Sequence, residues 1–213
     1  MSVLLAVGTR PEAIKMAPVY RELKRLGLRP LVLFTGQHQE QLKDALDLFE
    51  LPPLLDLKLM RPRQDPAELF GRMVPAVSQS LKEIAPDYVL VHGDTLTTFA
   101  TAWAAFLAGL PVGHVEAGLR SHNLKEPFPE EANRRLTDVL SDLLLAPTIR
   151  ARENLLRENP LGKALVTGQT GIDAILEAAK RGRLPEDFPP HPTSPSPSTA
   201  GRTGPASGRS PRP

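Results

Sequence analysis

YVLVHGDTLTTFATAWAAFLAGLPVGHV, residues 88–115, contains the alternation that decides the fold. Two short apolar runs, at 88–92 and 112–115, enclose a helical stretch that is rich in alanine. Both runs are apolar throughout rather than alternating with polar residues, which is typical of strands buried on both faces of a sheet. A buried strand, a helix and a second buried strand predict a parallel β-α-β unit.

The same alternation continues on both sides of this unit. The predicted elements are strands at 3–7, 31–34, 143–146 and 164–167, and helices at 11–27, 148–158 and 171–181. Gly27 suits the C-terminal end of the first helix because glycine readily adopts the left-handed conformation found there. We therefore predict an α/β fold with a doubly wound parallel sheet.

Composition excludes several classes of protein. The chain has no Cys, so disulfides, Cys-ligated zinc and thiol nucleophiles are excluded. No apolar run approaches the roughly 20 residues of a membrane-spanning helix. The apolar run at 3–7 has no basic segment before it, so we interpret it as a strand rather than as a signal peptide. We expect a soluble, cytoplasmic protein.

The formal net charge of +2 does not indicate a polyanionic partner. Three of the 26 basic residues and none of the 24 acidic residues lie in 191–213, which leaves 23 basic residues against 24 acidic ones in the rest. Aromatic residues make up only 5% of the chain, too few for stacking on nucleic-acid bases. We expect neither a nucleic-acid nor a membrane partner.

Composition changes abruptly near Leu184. Apart from His191, residues 191–213 consist only of Pro, Ser, Gly, Arg, Thr and Ala. Such a segment has little apolar surface to bury against the entropy cost of ordering it, so we expect it to be disordered. We therefore divide the chain into a domain at 1–182 and a tail at 183–213.

Ligands of open parallel sheets bind beyond the carboxyl ends of the strands, so the residues that follow each strand are candidates for a site. Arg10 lies in the turn between the first strand and the first helix, where its guanidinium either clamps a phosphate beside the helix N-terminus or is solvated in an ordinary turn. Gln37 and His38 follow the second strand, where they either line a cleft or cap the next helix. The five histidines show no spacing typical of metal ligands.

Three carboxylates follow later strands. Asp94 either faces the cleft or caps the next helix, whereas Glu116 has little structural reason to follow its strand. Glu130 opens a helix with Glu131, where both charges would also complement the helix dipole. If Asp94, Glu116 and Glu130 meet, their repulsion should raise the pKa of one of them, as a general acid/base pair requires. This pattern indicates proton abstraction or elimination on a phosphate-bearing substrate.

Six segments together closely resemble the non-hydrolysing UDP-N-acetylglucosamine 2-epimerases. In family order, they are GTRPEAIKMAPV (8–19), TGQH (35–38), VHGDTLTT (91–98), PVGHVEAGLRS (111–121), PFPEEANRRLTD (127–138) and VTGQTGIDA (166–174). The resemblance implies a fold like the GT-B glycosyltransferases, with the nucleotide sugar between two Rossmann-like domains, of which this chain has the N-terminal one. It implies interconversion of UDP-GlcNAc and UDP-ManNAc by elimination and re-addition of UDP.

The resemblance also implies roles for the candidate residues. Arg10 should contact the UDP moiety, and Asp94, Glu116 and Glu130 should be acid/base and cleft carboxylates. Gln37 and His38 match a region near a regulatory UDP-GlcNAc site. Family members are homodimers that need neither metal nor NAD, so we expect a homodimer without cofactors. Two alternatives remain open: a non-catalytic domain that binds a nucleotide sugar or dimerises, and one half of a GT-B glycosyltransferase.

The resemblance further implies a second domain, which begins near an H-R-R-E-N motif. A GC-rich coding stretch for H-R-R-E-N-W-P, shifted by one base, encodes Thr-Ala-Gly-Arg-Thr-Gly, the sequence at 199–204. We therefore expect residues from about 190 onward to be an out-of-frame translation of that domain, which would leave the chain inactive. A natural disordered tail and a functional basic arm are the alternatives.

Overall fold

The computed structural model describes residues 1–36, 49, 51–59, 61, 64–158 and 160–180. Gln37, His38 and the predicted tail at 183–213 lie outside the described residues. The described strands are β1 (Ser2–Val7), β2 (Arg29–Phe34), β3 (Leu55–Asp56), β4 (Tyr88–His92), β5 (Val112–Val115), β6 (Leu143–Ala146) and β7 (Lys163–Val166). The described helices are α1 (Arg10–Arg25), α2 (Pro66–Ile84), α3 (Leu96–Leu107), α4 (Glu130–Leu140), α5 (Ile149–Glu158) and α6 (Thr170–Lys180).

The strands form one sheet in the order β3-β2-β1-β4-β5-β6-β7, and every neighbouring pair is parallel. Helices cover both faces of this sheet. On one face, Leu4 of β1 belongs to a core cluster with Val77 of α2 and Ala102 of α3. On the other face, Leu5 belongs to a cluster with Met16 of α1. The predicted doubly wound parallel sheet is confirmed.

The end of α1 follows the prediction made for Gly27. This residue has a φ of +76°, and its N–H donates to the carbonyl of Lys24 at 3.0 Å. The N–H of Leu28 donates to the carbonyl of Leu23 at 3.0 Å, so the last turn ends in a Schellman motif. The chain can therefore reverse direction and enter β2 beside β1.

Two elements were not predicted, α2 and β3. The start of α2 carries clear signals, because Pro66 follows Asp65, whose carboxylate accepts hydrogen bonds from the N–H groups of Ala67 at 2.8 Å and Glu68 at 3.2 Å. Pro75 inside the helix obscures its periodicity. β3 is only two residues long, and it exists through pairing with β2.

Gly118, in the turn after β5, provides a test of packing around the site. Its φ is +83°, and a Cβ atom there would lie 2.3 Å from the carbonyl oxygen of Ala151. We expect Gly118→Ala to lower the free energy of unfolding by more than about 2 kcal/mol, because left-handed strain and overpacking add. In the matched control, Gly109→Ala, φ is +67° but nothing lies within 4 Å of the new Cβ. That control should lower the free energy of unfolding by only about 1 kcal/mol. Equal decreases for the two variants, measured by urea unfolding, would contradict the prediction.

Candidate functional site

The candidate site lies where β1, β4 and β5 end side by side. Because these strands are adjacent and parallel, the turns that follow them meet at one edge of the sheet. A cavity of about 470 Å³ opens there. It is lined by Thr9, Pro11, Glu12, Lys15, His92, Gly93, Asp94, Thr95 and Glu116. Two of the predicted carboxylates, Asp94 and Glu116, therefore share one cavity.

Glu116 is the first residue after β5 and has a left-handed φ of +69°. Its Oε2 accepts a hydrogen bond from Lys15 Nζ at 2.7 Å and lies 3.0 Å from His92 Nε2, without the alignment of a hydrogen bond. Burial alone would raise the pKa of Glu116, but the contacts with His92 and Lys15 outweigh it and lower this pKa to about 2. Glu116 is therefore ionised at neutral pH.

Two residues of helix α4 hold Asp94 in place. Its Oδ2 accepts a hydrogen bond from Arg134 Nη2 at 2.5 Å, and its carbonyl accepts one from Asn133 Nδ2 at 3.0 Å. The interpretation of Asp94 as a helix cap is wrong, because Thr95 caps α3 by accepting a hydrogen bond from the N–H of Thr98 at 3.2 Å. The Asp94 carboxylate is thus left to line the cavity.

Glu130 lies in a neighbouring cavity rather than beside the other two carboxylates. That cavity, of about 400 Å³, shares Thr9 and Thr95 with the first one. The expectation that repulsion raises a carboxyl pKa is wrong for Glu116, whose pKa is lowered by contacts with His92 and Lys15 although burial opposes them. Asp94 likewise pairs with a cation. Asp94 and Glu116 each have their own basic partner, which the sequence pattern did not reveal.

Arg10 is the first residue of α1, which begins one residue before the predicted start of this helix. Its buried Nε has no hydrogen-bond partner among the described residues. Its neighbours Thr9 and Pro11 line the first cavity, whereas Arg10 itself does not. The N-terminus of a helix favours anions, so this position suits a phosphate ligand.

Glu12 is a buried carboxylate that sequence reasoning did not select. It accepts hydrogen bonds from the N–H groups of Gly8 at 2.7 Å and Thr9 at 2.8 Å, and from the Thr95 hydroxyl at 2.5 Å. It therefore ties the turn after β1 to the turn after β4. The pattern Thr9-x-x-Glu12 is a capping-box signal that identifies it, and Lys15 lies one turn further along α1.

Glu131 has a similar structural role at the start of α4. Its side chain is fully buried and accepts hydrogen bonds from the N–H groups of Ser121 at 3.0 Å and His122 at 3.3 Å. It also lies 3.6 Å from Arg134 Nη1, so Arg134 connects it to Asp94. Of the adjacent acids, Glu131 holds the loop and Glu130 faces a cavity.

The part of the chain that the structure describes contains neither a metal site nor a membrane-spanning helix. No group of three or more His, Cys, Asp or Glu side chains there is arranged to hold a metal ion. Among the same residues, no helix has the length and apolar character needed to cross a membrane.

The lowered pKa of Glu116 makes stability depend on pH. Because this pKa falls from 4.5 to about 2 on folding, its ion pair stabilises the fold fully above about pH 5, and the stabilisation is lost as the pH falls toward 2. We expect this group to contribute about 2 kcal/mol of the stability lost between pH 7 and pH 3. Glu116→Gln should therefore lose stability less steeply than the wild type over this range.

Urea unfolding at several pH values measures the effect. The matched control is Glu153→Gln, because Glu153 is exposed and has no ion pair among the described residues. Its stability should follow the wild-type dependence on pH. Parallel curves for the wild type and Glu116→Gln would contradict the prediction.

The sequence of this chain is similar to those of known proteins. A family model described as UDP-N-acetylglucosamine 2-epimerase matches residues 21–191. The UDP-N-acetylglucosamine 2-epimerase of Neisseria meningitidis serogroup A is 49% identical over 186 residues, which cover 86% of this chain and 50% of the relative. That of Bacillus subtilis strain 168 is 47% identical over 184 residues, which cover 85% of this chain and 48% of the relative.

Solved structures give the same result. The crystal structure of UDP-GlcNAc 2-epimerase from Neisseria meningitidis bound to UDP-GlcNAc matches with a TM-score of 0.81 and 49% identity, over 85% of this chain and 50% of that chain. The crystal structure of the Methanocaldococcus jannaschii UDP-GlcNAc 2-epimerase in complex with UDP-GlcNAc and UDP matches with a TM-score of 0.81 and 37% identity. The match covers 87% of this chain and 51% of that chain. The chain therefore spans about half the length of the curated relatives that it matches.

Proposed function

The chain belongs to the UDP-N-acetylglucosamine 2-epimerase family, and from this membership we propose that it forms one wall of an active site that interconverts UDP-GlcNAc and UDP-ManNAc. The observation that carries the proposal is the pair of carboxylates, Asp94 and Glu116, that line one cavity at adjacent strand ends. The two relatives whose structures hold UDP-GlcNAc support a UDP-sugar as the ligand.

The reaction needs one group that takes a proton from C2 of the sugar and another that returns a proton to the opposite face. In the first step, the C2–H electrons form the C1–C2 double bond, and the C1–O bond breaks as UDP leaves with its electron pair. In the second step, UDP oxygen adds back to C1 and C2 is protonated from the other side. Asp94 and Glu116 are the proposed proton carriers, and Glu130 is the proposed carboxylate of the adjoining cavity.

Glu116 is ionised at neutral pH and can accept a proton, but its pairing with Lys15 makes it a weak base. An incoming diphosphate offers Lys15 a competing anion. Movement of the Lys15 ammonium from Glu116 toward the diphosphate would strengthen the base and balance the leaving charge in the same step. The ion pair is thus suited to a site that becomes reactive only when the substrate is bound.

Arg10 is the proposed ligand of the UDP phosphates. Arg10 is the first residue of α1, at the positive end of the helix dipole, and its buried Nε has no hydrogen-bond partner among the described residues. Arginine forms strong, charge-assisted hydrogen bonds to phosphate oxygens.

Binding of UDP tests this assignment without requiring turnover. We expect UDP to bind the 213-residue chain and Arg10→Ala to weaken the affinity at least about tenfold, since one charge-assisted contact is worth about 1.5 to 3 kcal/mol. Titration calorimetry or ligand-observed NMR measures the affinity. Arg150→Ala is the matched control, because Arg150 is an exposed residue of α5. Equal affinity of Arg10→Ala and the wild type would contradict the role given to Arg10.

A non-catalytic domain that binds a nucleotide sugar is the second candidate, because the chain spans about half the length of its relatives. UDP binding without turnover distinguishes it from the first. A homodimer is the proposed assembly, and sedimentation analysis tests it. The proposed regulatory residues, Gln37 and His38, lie outside the described residues.

A further inference from the structure

A buried network of charged groups lies next to the candidate site. It contains His114 on β5, Arg120 in the following loop, Asp138 on α4 and Glu158 at the end of α5. The side chains of His114 and Arg120 are fully buried, and that of Asp138 is 3% exposed. Removing ions from water costs several kcal/mol each unless partners compensate, so each contact here is informative.

The hydrogen-bond partners of His114 determine where its protons are. Nε2 lies 2.7 Å from the carbonyl oxygen of Gly93, which can only accept, so Nε2 carries a proton. Nδ1 lies 2.6 Å from Asp138 Oδ1. If Asp138 is ionised, it has no proton to donate, and Nδ1 must carry one as well.

Two contacts indicate that Asp138 is ionised. Its Oδ2 lies 2.7 Å from Arg120 Nη2. The same oxygen accepts a hydrogen bond from the N–H of Gly118 at 3.3 Å. Burial raises the pKa of Asp138, but the contacts with His114 and Arg120 outweigh it and hold this pKa below its ordinary value.

We infer that His114 donates a hydrogen bond from each of its two ring nitrogens in the folded chain, and that it is a positioning residue that fixes the turn carrying Asp94. The importance of that turn rests on the proposed function, whereas the protonation state does not. Gly93 accepts the imidazolium hydrogen bond and directly precedes Asp94. A neutral ring would offer one donor for two acceptors, so either Gly93 or Asp138 would lose its partner.

Charged groups of opposite sign alternate in the network around the ring. Asp138 faces it from α4, and Arg120 faces Asp138 from the loop after β5. Glu158, from α5, accepts hydrogen bonds from Arg120 at 3.0 and 2.7 Å. From the β4 side the ring meets the neutral carbonyl of Gly93. Arg135 of α4 lies 3.2 Å from the other side of the Glu158 carboxylate. Cations and anions therefore alternate along the network, which allows the imidazolium to remain charged while buried.

The test uses the 213-residue chain labelled with ¹⁵N-histidine. Long-range ¹H–¹⁵N spectra report whether each ring nitrogen is protonated, and loss of one set of signals in His114→Gln assigns them. We expect both ring nitrogens of His114 to show the shifts of protonated nitrogens at pH 7, because each lies against an acceptor. The ring of the exposed His122 is the internal reference. Neutral-imidazole shifts for His114 in the folded wild type would overturn the inference, whatever the result with UDP.

The positioning role has its own readout. The backbone amide resonance of Asp94 should stay near its wild-type position in His114→Gln, whose amide can still donate to Gly93, and should move in His114→Phe, which has no donor. An Asp94 resonance that is unchanged in a folded His114→Phe chain would overturn this part. If His114→Phe does not fold, Asp138→Asn replaces it: loss of the proton from one ring nitrogen of His114 supports the inference, and two ring nitrogens that both stay protonated overturn it.

Discussion

Asp138→Ala should lower the free energy of unfolding of this chain by about 3 to 5 kcal/mol. The substitution leaves His114 and Arg120 buried without the anion that both of them contact at 2.6 and 2.7 Å. It also removes the acceptor for the N–H of Gly118. Because ordinary domains are stable by only about 5 to 15 kcal/mol, this single change removes a large part of the total.

Glu158→Ala is the matched control, because it removes the other carboxylate that contacts Arg120. Glu158 is 33% exposed, and Arg120 keeps its contact with Asp138, so we expect a loss of about 1 kcal/mol or less. Urea unfolding followed by circular dichroism measures both variants at pH 7. Similar losses for the two variants, or a loss below about 1 kcal/mol for Asp138→Ala, would show that the network does not stabilise the fold as argued.

Asp94→Asn and Glu116→Gln should each lower epimerase turnover by about 10² to 10⁴-fold, the usual contribution of a general acid or base. The suitable protein joins residues 1–180 of this chain to the second half of the Neisseria meningitidis relative, which is 49% identical over the shared part. Amide side chains keep the shape of the carboxyl groups but cannot carry the proton. Conversion of UDP-GlcNAc to UDP-ManNAc is the measurement.

Two comparisons make this result specific. Glu153→Gln removes an exposed acid of α5 and should leave turnover of the joined protein unchanged. The 213-residue chain alone should form no measurable UDP-ManNAc, because one wall of a cleft does not exclude water from the reacting groups. UDP-ManNAc formation by that chain would refute this expectation, and full activity of Asp94→Asn or Glu116→Gln in the joined protein would remove that residue from the proposed mechanism.

Most of the fold could be predicted because strands buried on both faces leave a local signal. The runs at 88–92, 112–115 and 143–146 coincide with β4, β5 and β6. β3 gives no such signal, because its two residues form a strand only through pairing with β2. α2 could have been recognised from Asp65 and Pro66, but Pro75 interrupts its pattern.

The candidate site could be predicted only in part. Asp94 and Glu116 follow strands, and their positions could be inferred from the rule for parallel sheets. Their basic partners, Arg134 and Lys15, come from helices 40 and 101 residues away in the sequence, and no local pattern indicates such pairing. The lowered pKa of Glu116 could not be foreseen for the same reason, because His92 and Lys15 reach it only in the folded chain.

The central position of β1 has a consequence for synthesis of the chain. β1 pairs with β2 on one side and with β4 on the other. Ribosomes add about 5 to 20 residues per second, so the roughly 80 residues between β1 and β4 take about 4 to 16 s to emerge. During this time one edge of an apolar strand has no partner and can pair with another nascent chain. Slower translation between β1 and β4 should therefore lower the yield of native protein, and capture of the nascent chain by a chaperone should raise it.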